Sequence, residues 1–339
     1  MVCSTSYRRV RRSDFFGYSI VTGEARSDYD RWMIICIWAH IRRRLIAGDY
    51  MMSDVIVSFV VPAYNEEALI GSCLTALLAE ISRTRCRAEI IVVNNGSTDG
   101  TCYIASSYPN VKVVDEPVRG LVRARRTGCL EANGKFIANI DADTILPKGW
   151  LSTALAEFVL RPDLVALSGP YIYYDLPKWA KLAAAGFYRG AHIAHLLSRL
   201  LAGRGSVMQG GNFIVSRSAL EAAGGFNLDF QFYGEDAELA RRLSKVGVVK
   251  FTRALCALSS GRRFVGEGIF IVLLRYSANY LWTHLFKHPW SSAWLDFRHS
   301  TRVSGDLELA APGTASRAGL VRQNSLIAKF GVVRRSQRS

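Results

Sequence analysis

The chain has 339 residues, half of them hydrophobic, enough for one large core or two modest ones. Its net charge of +15 is concentrated at the ends: residues 1–50 carry nine Arg against five acids, and residues 287–339 carry nine Lys or Arg against three. No interleaved aromatic and basic motif accompanies that charge, which argues against nucleic acid as a partner and for solvated tails or contact with an anionic membrane surface.

Residues 1–52 lack sustained periodicity and read as a poorly ordered extension. Translation is expected to start at Met51 or Met52, where patterned sequence begins. "WMIICIWAHI" (32–41) is too short to cross a bilayer and runs into Arg42–Arg44. Strand and helix patterns then alternate. "VIVSFVVP" (55–62), "EIIVVNN" (89–95), "VKVVDE" (111–116) and "KFIANID" (135–141) are short apolar strands. Helical spacing occupies 67–82, 97–108 and 120–133 between them. This order predicts a mostly parallel sheet covered on both faces. Ligands bind such sheets beyond the carboxyl ends of the strands. The polar clusters "PAYNEE", "NNGSTD", "DE" and "DAD" all fall at those ends.

Beyond residue 146, "LVALSGPYIYYD" (164–175) reads as one strand and 178–201 as a long helix. Residues 210–226 read as a strand followed by a short helix, and 235–247 as a helix with acids first and bases last, as its dipole favours. "GIFIVLLRYSANYLWTHLF" (268–286) is interrupted by Arg275, Asn279 and His284, and reads as an amphipathic helix in the membrane interface or packed on the domain. Residues 296–339 read as a basic disordered tail. The seven cysteines are odd in number and contain no C-x-x-C, so reduced thiols in a cytoplasmic protein are expected.

Two clusters carry chemistry. Asp141 and Asp143 stand one residue apart at a strand tip, where an extended backbone sends both to one side. Carboxylate oxygens suit a hard divalent cation that bridges to phosphate. An isolated Asp-x-Asp is more often a solvated turn. Glu235 and Asp236 open a helix and are either helix-start acids or a proton acceptor with its neighbour. His192 and His195 lie one helical turn apart without a third ligand, and a metal there is the weaker reading. Arg262 and Arg263 follow the Glu-Asp helix and read as a phosphate clamp or as a solvated loop.

The ordered set "VSFVVPAYNEE", "EIIVVNNGSTDGT", "RGLVRARRTG", "FIANIDADT", "GGNFIVSRSALEAAGGF" and "GEDAEL" resembles the family 2 glycosyltransferases over about 55–250. The resemblance implies a GT-A fold across 53–260, with a nucleotide-binding half (53–145) and an acceptor half (146–260), then an amphipathic helical extension (261–295). It implies that Pro62, Tyr64, Asn65 and Glu66 wall the nucleoside of a nucleotide-diphosphate sugar, that Asn95 and Asp99 lie near its base, and that Arg119 and Arg125 approach the diphosphate. Asp141 would bond ribose or metal-bound water, and Asp143 would ligate Mn²⁺ or Mg²⁺. Asp236 matches the base position and Glu235 its neighbour, while Gly210, Gly211 and Asn212 would approach sugar or acceptor.

Two departures bear on this. Asn94 stands where the family usually has Asp, and no Q-x-x-R-W follows Asp236, which points to non-processive transfer. The expected function is an inverting, metal-dependent transfer to a glycan or lipid-linked hydroxyl, cytoplasmic with peripheral membrane contact. The rivals are a polyprenyl-phosphate sugar transferase and a non-catalytic nucleotide-sugar-binding protein. A dinucleotide-binding domain is disfavoured, because no G-x-G-x-x-G follows the first strand.

Overall fold

The computed structural model describes residues 55–202, 207–230 and 233–286. The expectations for the N-terminal extension, the translation start and the basic tail lie outside them.

Strands β1 (Val57–Ala63), β2 (Ala88–Asn94), β3 (Val111–Asp115) and β4 (Phe136–Ile140) pair in parallel, in the order β3-β2-β1-β4. Their connections are helices α1 (Ile70–Thr84), α2 (Thr101–Ser106) and α3 (Leu121–Glu131). The apolar runs serve two cores by alternation. Phe59, Val61, Ile90, Val92, Ala138 and Ile140 enter one cluster, and Val60, Ile91, Val93 and Ile137 enter the other. A strand buried on both faces needs apolar side chains at every position, which is why these segments read as continuous runs. The expected fold is observed: a mixed α/β domain whose mainly parallel central sheet is flanked by helices.

The sheet continues through β8 (Asn212–Ser216), β6 (Leu164–Ser168) and β9 (Val248–Phe251). Strand β8 runs antiparallel to β4, with Ile140 opposite Asn212. Its beginning therefore lies at the edge where β1 to β4 end. A second sheet of three strands joins β5 (Thr144–Ile145), β10 (Ala257–Ser259) and β7 (Tyr171–Tyr173) in the order β5-β10-β7. Its register sets Ser259 opposite Thr144, next in sequence to Asp143.

The single strand expected over 164–175 is two strands in two sheets, β6 and β7, separated by Gly169 and Pro170. Helix α4 (Trp150–Leu160) was not anticipated; its apolar residues fill the core beside β1, where Trp150 meets Phe59. The remaining helices are α5 (Lys178–Ala202), α6 (Arg217–Ala222), α7 (Glu235–Leu243), α8 (Arg262–Glu267) and α9 (Ile269–Phe286). Helix α9 packs against the start of α7: a Cβ on Gly234 would lie 2.4 Å from Thr283 Oγ1. No helix of the described residues is long and apolar enough to cross a membrane.

Candidate active site

The first three strand ends form a frame that holds itself. Pro62 is buried in β1, beyond the last β1–β4 pair, Val60 with Asn139. Asn65 adopts a left-handed conformation (φ 50°), which asparagine tolerates better than most residues. Its Oδ1 accepts a hydrogen bond from the Thr98 amide at 2.8 Å. The Glu66 amide donates to Thr101 Oγ1 at 2.7 Å. Asp99 accepts from the amides of Thr101 (3.0 Å) and Glu67 (3.1 Å), which ties the start of α2 to the segment after β1. Burial pushes the Asp99 carboxyl up, but these bonds and the one from the Thr101 hydroxyl leave it below its ordinary value.

Asn95 donates to the carbonyls of Glu116 and Val118, both at 2.9 Å, and accepts from the Gly120 amide at 2.8 Å. It thereby shapes the loop carrying Arg119, whose guanidinium lies 3.4 Å from the centre of the Tyr64 ring. Asn94 donates to Asp115 at 2.7 Å. An aspartate at 94 would face that carboxylate, so the amide here removes a like-charge contact.

The fourth strand end carries the acids. Asp141 and Asp143 do not turn to one point. Asp141 Oδ1 accepts from Arg125 Nη2 at 3.0 Å, and its Oδ2 accepts from the Tyr171 hydroxyl at 3.1 Å. Asp143 Oδ2 accepts from Arg262 Nη2 at 3.2 Å, and its Oδ1 faces the Ser259 hydroxyl at 3.4 Å. The same Arg262 nitrogen donates to Glu66 Oε1. The two aspartates diverge because buried Ala142 anchors the tip between them and each meets a different arginine.

Arg125 is the second surprise. Of the four arginines in "RGLVRARR", Arg119, Arg123 and Arg126 are exposed, whereas Arg125 is 1% exposed. It lies between Asp141 and Glu235, bonding both. Burial pulls its pKa down, but Glu235 and Asp141 more than offset this and hold it above its ordinary value. It binds the acids of the site rather than lying open on a helix face.

At the start of α7 the two acids have different surroundings. Glu235 is buried against Arg125. Burial pushes its carboxyl up to about 7, with Arg125 pulling it down and Asp236 pushing it up. Asp236 is half-buried and accepts from the Ala237 amide at 2.8 Å. Burial raises its carboxyl too, opposed by backbone N–H groups and Arg125. Gly210 and Gly211 fit the acids closely: a Cβ on Gly210 would lie 2.6 Å from Glu235 Oε1, and one on Gly211 would lie 1.9 Å from Asp141 Oδ2. Asn212 turns away into the interior, where Trp150 donates to it at 2.9 Å and it donates to the carbonyls of Gly169 (3.0 Å) and Leu255 (2.8 Å). It ties the two sheets together.

Tyr171, Ser259 and Trp150 went unnoticed in the sequence, because each reads as an ordinary strand or helix residue until the second sheet sets it beside an aspartate or Asn212. His192 stands 6.3 Å from Phe251 between ring centres, and the side chain of His195 lies outside the described residues. No group of three or more His, Cys, Asp or Glu is placed to hold a metal by itself among the described residues.

A cation held by one carboxylate together with substrate phosphates is a different case. Asp143 is 15% exposed, and burial pushes its carboxyl up to about 7, with Arg262 lowering it and Glu66 raising it. Asp143 and Glu66, two acids brought together at that cost, fit a divalent cation shared with a diphosphate that takes the place Arg262 holds here. Asp141, spent on Arg125 and Tyr171, fits that role less well.

Residues 58–224 match the family described as Glycosyl transferase family 2. The chain belongs to that family. Similar to this chain is the putative glycosyltransferase EpsH of Bacillus subtilis, 31% identical over 193 residues, covering 54% of this chain and 53% of EpsH. The chain thus spans about half the length of that relative. Two solved structures share its fold. The mannosyltransferase PcManGT from Pyrobaculum calidifontis, in complex with GDP-Man and Mn²⁺, has a TM-score of 0.51 at 20% identity, covering 88% of this chain and 89% of that one. The glucosyl-3-phosphoglycerate synthase from Mycobacterium tuberculosis, in complex with Mn²⁺ and UDP-glucose, has a TM-score of 0.51 at 21% identity, covering 74% and 84%.

Proposed function

We propose that this glycosyltransferase is inverting and metal-dependent, and moves one sugar at a time from a nucleotide-diphosphate donor to a hydroxyl acceptor in glycan or glycolipid synthesis. The observation that carries this reading is the division of labour between neighbouring acids. Glu235 is committed to Arg125, while Asp236 lines a cavity beside Gly210 and is bonded to the Ala237 amide.

In this reading the donor's nucleoside lies along Tyr64, Asn65 and Glu66, and Asn95 and Asp99 hold the loops around it. Asp236 takes the proton of the acceptor hydroxyl. The oxygen attacks the anomeric carbon from the face opposite the diphosphate, the new C–O bond forms, and the old bond breaks with its electrons leaving on the diphosphate. Asp143 holds the divalent cation, which when bound neutralises charge on the departing phosphates. Arg262 and Arg119 supply cationic groups on the donor side. Arg125 keeps Glu235 and Asp141 in place. The reading includes peripheral contact with the cytosolic membrane face, supported by the exposed Phe270, Ile271 and Leu274 of α9.

Thermal shift with UDP-, GDP- and dTDP-sugars plus Mn²⁺ tests it. A donor at a hundred times its Kd stabilises by about 2.7 kcal/mol, roughly 5–10 °C for a domain of this size. One donor class should give that shift, and Asp143→Ala should abolish it. Absence of any shift across the panel, or a full shift in Asp143→Ala, overturns the reading.

A further inference from the structure

Next to Asp236 opens a cavity of about 460 Å³, within the range that holds a small organic molecule. Its walls come from elements far apart in sequence: Phe187 and Tyr188 on α5, Met208 before β8, Phe251 at the end of β9, and Leu273 and Tyr276 on α9. Among the described lining residues the charged ones are Arg125, Asp141, Glu235 and Asp236. The rest of the surface is aromatic, aliphatic or small, its polar atoms being mostly tyrosine hydroxyls at the ends of apolar rings.

Several of those polar groups already serve one another. The Tyr188 hydroxyl bonds Gln209 Oε1 at 2.9 Å and meets the Tyr173 hydroxyl at 3.2 Å. With Tyr173, Tyr188 and Gln209 engaged with one another, fewer groups are left for the ring of a glycan acceptor. A phosphate head needs a cation. The cation in the described lining is Arg125, buried and bonded to both Glu235 and Asp141. Both alternatives fit this cavity worse than an apolar body does.

We propose that the acceptor is an amphiphile whose apolar body, an isoprenoid or acyl chain, fills this cavity and presents an uncharged hydroxyl to Asp236. This rests on the glycosyl-transfer reading above and names its acceptor class. The walls agree with an acceptor drawn from a lipid surface. Helices α5 and α9 pack together, and both also expose large apolar side chains: Trp179 and Leu182 on α5, Phe270 and Leu274 on α9. Each methylene buried in such a cavity contributes about fourfold in affinity.

The test uses the full chain and the fluorescent apolar probe N-phenyl-1-naphthylamine, displaced by farnesol, farnesyl monophosphate or methyl β-D-glucoside. Gly190 on α5 lines the cavity and is itself exposed, with nothing within 4 Å of an added Cβ, so Gly190→Trp adds a large ring at the cavity mouth without a clash at Cβ. Saturable probe binding is expected. Farnesol should displace the probe at least tenfold more effectively than the phosphate, methyl glucoside should not displace it, and Gly190→Trp should weaken binding at least tenfold. Equal or better displacement by farnesyl monophosphate overturns the uncharged head. Displacement by methyl glucoside, or full probe binding in Gly190→Trp, overturns the apolar site. Donor thermal shift run in parallel separates the two claims. Probe binding without any donor shift rejects glycosyl transfer while leaving the apolar site, and a donor shift without saturable probe binding rejects the acceptor class alone.

Discussion

The donor-side strand ends and the acid cluster meet at one sheet edge but are built differently. Asn65 bonds Thr98, Asp99 bonds Thr101, and Asn95 holds Gly120: each partner lies within about one βα unit, and most are neutral. The acid cluster has short links too, Arg125 to Asp141 and Asp236 to the Ala237 amide, but its charge pairs also span the chain. Arg125 reaches Glu235, 110 residues away, and Arg262 reaches Glu66, 196 residues away. A frame of local neutral bonds is stable wherever its own loops fold. Buried charges are stable only when the whole domain brings their partners, because an unpaired buried ion costs several kcal/mol. The first three strand ends are thus prebuilt, while the acid cluster depends on tertiary closure.

The largest test of that contrast is Asp236→Asn. A general base contributes about 10²–10⁴-fold, so transfer to a hydroxyl acceptor should fall by that factor in kcat, while donor thermal shift stays near the wild-type value. Near-full transfer would identify an acceptor that is already ionised, such as a polyprenyl phosphate. Arg125→Ala comes next. It strands two carboxylates against the core and should cost about 3–5 kcal/mol of stability in denaturant unfolding. A loss below about 1 kcal/mol would mean that the acids do not need their buried partner.

The pH profile sharpens the same point. Glu235 and Asp236 both have raised carboxyls, that of Glu235 about 7, so they gain protons at a pH where ordinary carboxylates stay ionised. A raised acid is neutral below its pKa, so kcat/KM should fall on acidification while the pH is still above the ordinary carboxylate range, approaching tenfold per unit. An acid limb at the ordinary value of about 4 would contradict the buried setting. The smallest effect belongs to the donor side. Arg119→Ala removes a cation–π contact worth about 0.5–1 kcal/mol at an exposed site, so donor affinity should weaken about two- to fivefold by titration. A much larger loss would show that Arg119 bears on the diphosphate directly.

How far the sequence carried depends on range. The apolar runs of β1 to β4 and the helices between them were legible, because period, caps and turns act over a few residues. Asn95 and Asp99 were legible as polar residues of that edge, where both hold loops. Residues 164–175 read as one strand because a continuous apolar stretch carries no mark of which sheet will take it; Gly169 and Pro170 were the signal for the break. Asp141 and Asp143 read as a pair because extended backbone alternates sides. Their separation follows from Arg125 on one side and Arg262 on the other, which no local pattern encodes.

By itself, then, the sequence determined the parallel α/β half, the edge where its polar ends gather, the family, and which acids stand at that edge. These follow from short-range physics: side-chain alternation, strand and helix periods, and the order of motifs. The tertiary structure decided how those acids divide. Only the β8 register and the second sheet bring Gly211 and Tyr171 to Asp141, Arg262 to Asp143, and Arg125 to Glu235, and only the packing of α5 and α9 closes an apolar cavity over Asp236. Charge pairing and cavity shape depend on distances across the fold, and those exist only once the chain has closed.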